Sequence, residues 1–149
     1  MIGTWLHTSK ARAAFAHFGR HDLEAFSAPW AEDVVFVYPG PTSWGGRFEG
    51  KAAMKGWIQR YMDRFPRIEF TVKRVCVENP FGLLSNVVAA EWDVAVEDRA
   101  GKAFTYGGVT VLRIERAKVT LATDYIFCTP EYQEALAGEA SRHEAASAR

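Results

Sequence analysis

Four consecutive segments decide the fold class: IEFTVKRVCVEN (68–79), LLSNVVAAEWDVAVED (83–98), AFTYGGVTVLRIER (103–116) and KVTLATDYIFC (118–128). Each segment is rich in β-branched and aromatic residues, which favour strands. Short stretches containing Asn, Pro, Gly and Asp separate them and are typical of turns. Because short turns join strands that are neighbours in sequence, the four segments predict an antiparallel meander.

The chain before Pro66 shows a helical period instead. Apolar residues three and four apart predict one helix capped by Thr8 or Ser9, and a second helix that begins after the turn at 19–22. These two helices are expected to form a hairpin.

One strand and a third helix complete the predicted order. The run VVFVY at 34–38 indicates a first strand that Pro39 ends, and residues 50–65 place their apolar side chains on one helical stripe. The predicted order α-α-β-α-β-β-β-β defines an α+β domain in which helices cover one face of a curved sheet. Residues 1–149 are expected to form this single domain, with a core over about 8–135 and a frayed tail at 136–149.

Composition excludes several classes of function. Eighteen basic and eighteen acidic residues give zero formal net charge, which argues against a nucleic-acid or membrane-surface partner. We find no apolar stretch of the length that a membrane span or a secretory signal needs, so a cytoplasmic location is expected.

The sequence predicts no cofactor or metal. Cys76 and Cys128 stand far apart without a Cys-x-x-Cys pair, and both are expected to be reduced core residues. Phosphate-binding loops, dinucleotide fingerprints and His-Glu-x-x-His motifs are also lacking.

The ordered set of elements resembles a known superfamily. Two helices, AEDVVFVYP (31–39), GKAAMKGWI (50–58) and a meander ending in KVTLATDYIF (118–127) are similar to nuclear transport factor 2-like proteins, and within them to the SnoaL-like and limonene epoxide hydrolase-like branch. The resemblance spans roughly residues 8–135. It implies a cone-shaped half-barrel whose three helices pack on the concave face of a mostly antiparallel sheet and enclose a pocket. Since this superfamily contains enzymes and binding modules, the fold alone does not fix the function.

Acidic residues on two strands are the candidates for chemistry. Alternation puts Glu91 and Asp93 on the face opposite Trp92, and puts Asp124 on the face opposite Val119. These acids could simply point into water. However, their neighbours on the same faces are small or apolar, which favours a ligand pocket over a solvated surface: Val87, Ala89, Ala95, Ala122 and Ile126.

The resemblance sharpens this choice. Asp93 and Asp124 occupy the positions of the two catalytic aspartates of limonene epoxide hydrolase, while Glu91 replaces its bridging arginine. Phe36 and Tyr38 stand where that enzyme positions its water with a tyrosine and an asparagine. Three acids without a cation would force at least one to hold a proton.

Ketosteroid isomerase belongs to the same superfamily, and two of its catalytic positions can be located in this sequence. Tyr38 occupies the place of its general base, and the region from Gly108 to Thr110 aligns with its oxyanion aspartate. Tyr38 can either donate a hydrogen bond to a developing oxyanion or pack at the pocket mouth with its hydroxyl in water.

The predicted site therefore combines acids with an aromatic wall. Asp93, Asp124, Tyr38 and Glu91 are the predicted catalytic residues, and the predicted ligand-binding residues are Phe36, Tyr106, Trp57, Trp30 and Gly108. We expect a small hydrophobic molecule as ligand, with cofactor-independent acid/base catalysis of the isomerase, cyclase, dehydratase or hydrolase type. A non-catalytic ligand-binding or protein-interaction module is the alternative. A homodimer through an apolar sheet face that buries Trp92 is also expected.

Overall fold

The computed structural model describes residues 2–40 and 42–137. It contains four helices and six strands over the described residues: α1 (Ile2–Gly19), α2 (Leu23–Ser27), β1 (Trp30–Tyr38), β2 (Gly46–Glu49), α3 (Lys51–Arg64), β3 (Arg67–Val77), β4 (Asn86–Glu97), β5 (Ala103–Glu115), β6 (Lys118–Ile126) and α4 (Pro130–Ala137). The predicted four-stranded meander is confirmed as β3 to β6.

The six strands form one curved sheet that is not closed into a barrel, and its order is β2-β1-β6-β5-β4-β3. All neighbours are antiparallel except β1 and β6, which pair in parallel. The helices cover one face of this sheet. The predicted α+β class with a half-barrel sheet is confirmed.

Some boundaries of the helices differ from the predicted ones because contacts with distant residues determine them. Helix α1 begins at Ile2 and not at Thr8 or Ser9, because its first turns pack on the loop between β3 and β4. There the His7 Nε2 atom lies 2.7 Å from the carbonyl oxygen of Gly82. Asp22 caps α2 as expected by accepting a hydrogen bond from the backbone N–H of Ala25.

Strand β2 was not expected from the sequence. Its four residues lie between the predicted first strand and the predicted third helix, and they pair with the end of β1. At the other end of the chain, α4 packs on the core with Ala135 and Leu136 buried. The predicted frayed tail was 136–149: residues 136 and 137 belong to α4, and the rest of that tail lies outside the described residues.

The inner face of β4 agrees with the predicted alternation. Its apolar set is buried beneath the helices: Val88, Ala90, Trp92, Val94 and Val96. Trp92 contacts Phe15, Phe70 and Tyr106, so the expectation that it lies in a dimer interface is wrong. The helical layer, and not a second copy of the chain, covers this face.

A bulge changes the faces of β6. The pairing with β5 shifts between Arg113 and Ile114, so that Arg113 pairs with Leu121 and Ile114 pairs with Val119. Val119 therefore turns to the same side as Asp124, although simple alternation sets them on opposite faces.

Two further expectations concern the surface. Cys76 and Cys128 are free but exposed, so their predicted place in the core is wrong. Within the described residues, none of the helices has the length and apolar character needed to cross a membrane.

Candidate functional site

A cavity of about 140 Å³ lies between the helices and the inner face of the sheet. Most of its wall is apolar. All five aromatic residues predicted to bind a ligand or assist catalysis line it: Trp30, Phe36, Tyr38, Trp57 and Tyr106. Four exposed residues of the wall mark its mouth: Lys10, Pro29, Leu83 and Ala117. The cavity therefore has an apolar interior and one side open to solvent.

Asp124 is the carboxylate of this cavity among the described residues. Its neighbour across the strands is Thr110, which pairs with it in the β5–β6 ladder and donates a hydrogen bond to Oδ1 at 2.6 Å. The Thr110 oxygen accepts a hydrogen bond from the indole N–H of Trp92 at 2.9 Å. This relay fixes the carboxyl group and leaves Oδ2 without a partner among the described side chains.

Burial raises the pKa of the Asp124 carboxyl from its usual value to about 7, and the hydrogen bond from Thr110 offsets part of that rise. The cause is desolvation, because the apolar wall replaces the water that would stabilise the charged form. A carboxyl group with a pKa near 7 is present in both protonation states at neutral pH. It can therefore accept a proton or donate one.

Three tyrosine side chains line the cavity together with Asp124: Tyr38, Tyr61 and Tyr106. The hydroxyls of Tyr61 and Tyr106 are hydrogen-bonded to each other, and Tyr38 lies in the same wall. Burial raises the pKa of all three phenols well above the usual value, so they stay neutral. Tyr106 also interacts with the hydroxyl of Tyr38, so the three phenols form one cluster that can donate a hydrogen bond to a ligand oxygen.

The structure does not bring Asp93 and Glu91 to the cavity. Both lie on the outer face of β4, where Asp93 is 2.7 Å from Lys73 and Glu91 is 2.7 Å from Arg74. The expectation that three acids share a pocket without a cation is therefore wrong. Strand β3, whose Lys73 and Arg74 project from the same outer face, supplies the missing cations.

Gly108 lies on the inner face but outside the cavity wall. A Cβ atom there would lie 2.6 Å from the carbonyl oxygen of Tyr125 and 3.1 Å from the Trp92 ring. Its role is to let the backbone and the Trp92 ring pack closely. Gly108 is therefore a packing residue, and its predicted place among the ligand-binding residues is wrong.

Sequence reasoning missed three residues of the site. Thr110 and Trp92 hold Asp124 through the hydrogen-bonded relay, and Tyr61 supplies a phenol from α3. Tyr61 was detectable as part of the apolar stripe of that helix. Thr110 and Trp92 become recognisable only with the β4–β5–β6 register, which sets Thr110 opposite Asp124.

Other titratable side chains are sparse in the cavity wall. Besides Asp124 and the tyrosines, it holds His7 and Lys10, both on α1. In residues 2–40 and 42–137, no group of three or more His, Cys, Asp or Glu side chains is placed to hold a metal ion.

Comparisons with known proteins agree with this fold. The model of the SnoaL-like domain matches residues 11–122. No curated protein sequence matches the chain significantly.

Solved structures with the same architecture include a Burkholderia pseudomallei NTF2-like protein of unknown function, 20% identical, covering 87% of this chain and 95% of its own with a TM-score of 0.73. TerC, co-crystallised with polyporic acid, is 19% identical and covers 88% and 98% with a TM-score of 0.72. A Catenulispora acidiphila protein with a ketosteroid isomerase-like fold, in complex with trimethylamine, is 16% identical and covers 86% and 92% with a TM-score of 0.68.

Proposed function

The chain belongs to the SnoaL-like domain family, and we propose that it binds a small apolar molecule in the cavity and moves protons on that molecule through Asp124. The observation that carries the proposal is the carboxyl group of Asp124, the one carboxyl group that the described residues place in this mostly apolar wall, held there by Thr110. Two similar structures, TerC and the Catenulispora protein, were solved with small molecules, which supports the ligand-binding part.

The proposed chemistry is proton transfer next to a carbonyl or hydroxyl group. Ionised Asp124 takes a proton from a carbon atom, and the electron pair of that C–H bond moves onto the neighbouring carbonyl oxygen. A phenol of the Tyr61–Tyr106 pair or Tyr38 donates a hydrogen bond to this oxygen. Protonated Asp124 then returns the proton to another atom of the ligand, which completes an isomerisation, or protonates a leaving hydroxyl, which completes a dehydration.

The cavity is less suited to hydrolysis by two carboxylates. That chemistry needs a base for water and an acid for the leaving oxygen on the same molecule, and Asp93 lies on the other face of the sheet. We therefore favour the isomerase, cyclase and dehydratase types over the hydrolase type.

Hydrogen–deuterium exchange tests the proposal without knowledge of the natural substrate. A one- or two-ring ketone such as 1-indanone is incubated with the protein in D₂O, and the loss of its α-hydrogens is followed by NMR. We expect Asp124→Asn to reduce the protein-catalysed exchange at least about 100-fold, the usual contribution of a general base.

Asp93→Asn is the matched control, because it makes the same chemical change outside the cavity. Its exchange rate should equal that of the wild type. Equal loss in both variants would contradict the assignment of Asp124. Binding of the ketone without any exchange would instead support the alternative, a non-catalytic ligand-binding module.

We also propose a homodimer, now through the outer face of the sheet. Tyr125 and Phe127 remain 59% and 48% exposed on or beside this face, and Val109, Val111 and Leu121 lie near them. Covering such a patch on association is favourable.

Tyr125→Glu should convert the dimer to a monomer, because it places a charge in the middle of the apolar patch. Sedimentation velocity at micromolar concentration measures this change. Phe81→Glu, which alters an aromatic side chain that is 76% exposed in the β3–β4 loop, should remain a dimer. A monomeric wild type would refute the proposed dimer.

A further inference from the structure

The mouth of the cavity carries a cation that the proposed chemistry does not use. Lys10 projects from α1 into the cavity wall and is exposed to solvent. Among the described residues it forms no ion pair, whereas Lys51, Lys55, Lys73 and Lys102 each have an acidic partner. Lys10 is thus available to a ligand.

The segments around Lys10 contain few acidic residues. Neither α1 nor the loop at residues 79–85 contains Asp or Glu. The β5–β6 turn, whose Ala117 also lines the cavity, adds Arg116 and Lys118. The nearest acids in sequence are Glu115, just before this turn, and Glu78, just before the loop at residues 79–85. The mouth therefore attracts anions, although the whole chain has no net charge.

Lys10 and Asp124 both line the cavity but belong to different layers of the fold, Lys10 to helix α1 and Asp124 to strand β6. Helix α1 packs along β3, as the hydrogen bond from Arg12 to the carbonyl oxygen of Val72 shows. Asp124 belongs to β6, which is three strands away from β3 in the sheet, or about 14 Å at the usual strand spacing. One ligand can therefore contact the buried carboxyl with one end and the exposed amine with the other.

We propose that Lys10 binds the anionic group of an amphipathic ligand, so that the substrate class is an apolar ring bearing a carboxylate on a short linker. This inference rests on the proposed function, because it concerns the same cavity. The size of the ring follows from the volume of about 140 Å³, since an apolar cavity of similar volume, about 150 Å³, holds benzene. The ring occupies the interior, and the carboxylate stays at the mouth, away from Asp124.

A pair of isosteric ligands tests the charge directly. Trp30, Trp57 and Trp92 line the cavity, so intrinsic fluorescence and calorimetry can both follow the binding of 3-phenylpropanoate and of its neutral analogue 3-phenylpropanamide. The wild type should bind the ion about fivefold more tightly than the amide, a gain typical of a partly exposed ion pair.

Lys10→Gln should abolish this preference and leave the affinity for the amide within about twofold of the wild type. Arg47→Gln is the matched control, because it removes one positive charge from β2, which lies at the opposite edge of the sheet from β3, the strand along which α1 packs. That variant should keep the preference.

The outcomes separate the two proposals. Equal affinities of the wild type for ion and amide would overturn the anionic subsite and leave the apolar-ligand proposal standing. A preference that survives Lys10→Gln would also overturn it. Failure of both ligands, and of neutral 1-indanone, to bind would overturn the proposed function itself.

Discussion

Replacing Asp124 with asparagine is expected to stabilise the protein at pH 8 by about 2 to 3 kcal/mol more than at pH 5. Asparagine has nearly the same shape and can still accept the hydrogen bond from Thr110. What the substitution removes is the cost of holding a charge in the apolar cavity.

The sign follows from the pKa of about 7 in the folded protein, which is raised by burial above the value of about 4 expected for the unfolded chain. Between these two values the folded state holds a proton that the unfolded state has released. Stability therefore falls as the pH rises through this window, by about 1.4 kcal/mol per unit for this one group. Above pH 7 the full penalty is present.

Urea denaturation of both proteins at pH 5 and pH 8 measures the effect. Protein concentration is kept constant, since the stability of a dimer depends on it. Asp93→Asn serves as control, because Asp93 is partly exposed and paired with Lys73, and its effect should stay below about 1 kcal/mol at both pH values. If the difference in the free energy of unfolding between the wild type and Asp124→Asn is the same at both pH values, Asp124 is not a buried titrating carboxyl group.

Most of the fold could be predicted because its signals are local. The change from a helical period to a period of two near Pro66 separates α3 from the meander, and turn residues divide the meander into four strands. The boundaries that failed depend on distant contacts. The start of α1 is set by packing on the β3–β4 loop, and β2 exists through pairing with β1.

The candidate site could be predicted only in part, because alternation sorts residues within a strand but does not say which face is inside. The aromatic wall could be predicted because large apolar side chains, such as Trp57 in α3, are usually buried. The faces on which the acidic side chains lie were harder to predict. The ladder sets Asp93 opposite Gly107 and Asp124 opposite Thr110, so the two carboxyl groups point to opposite sides of the sheet.

Replacement of the buried Trp92 is expected to lower stability much more than replacement of the exposed Trp5. Trp92→Ala should destabilise the protein by about 3 to 5 kcal/mol, the usual loss for a large buried aromatic side chain. Trp92 is 4% exposed, packs on Phe15 and Phe70, and donates the hydrogen bond that holds Thr110. Its removal leaves a cavity and frees the residue that orients Asp124.

Trp5→Ala removes the same group of atoms from a side chain that is 70% exposed on α1, and it should change stability by no more than about 0.5 kcal/mol. Urea denaturation followed by circular dichroism measures both variants without relying on tryptophan fluorescence. Similar losses in the two variants would mean that Trp92 is not enclosed by the helical layer. The inner face of the sheet, and with it the place of Asp124 in a cavity, would then have to be reassigned, since both assignments rest on the same register.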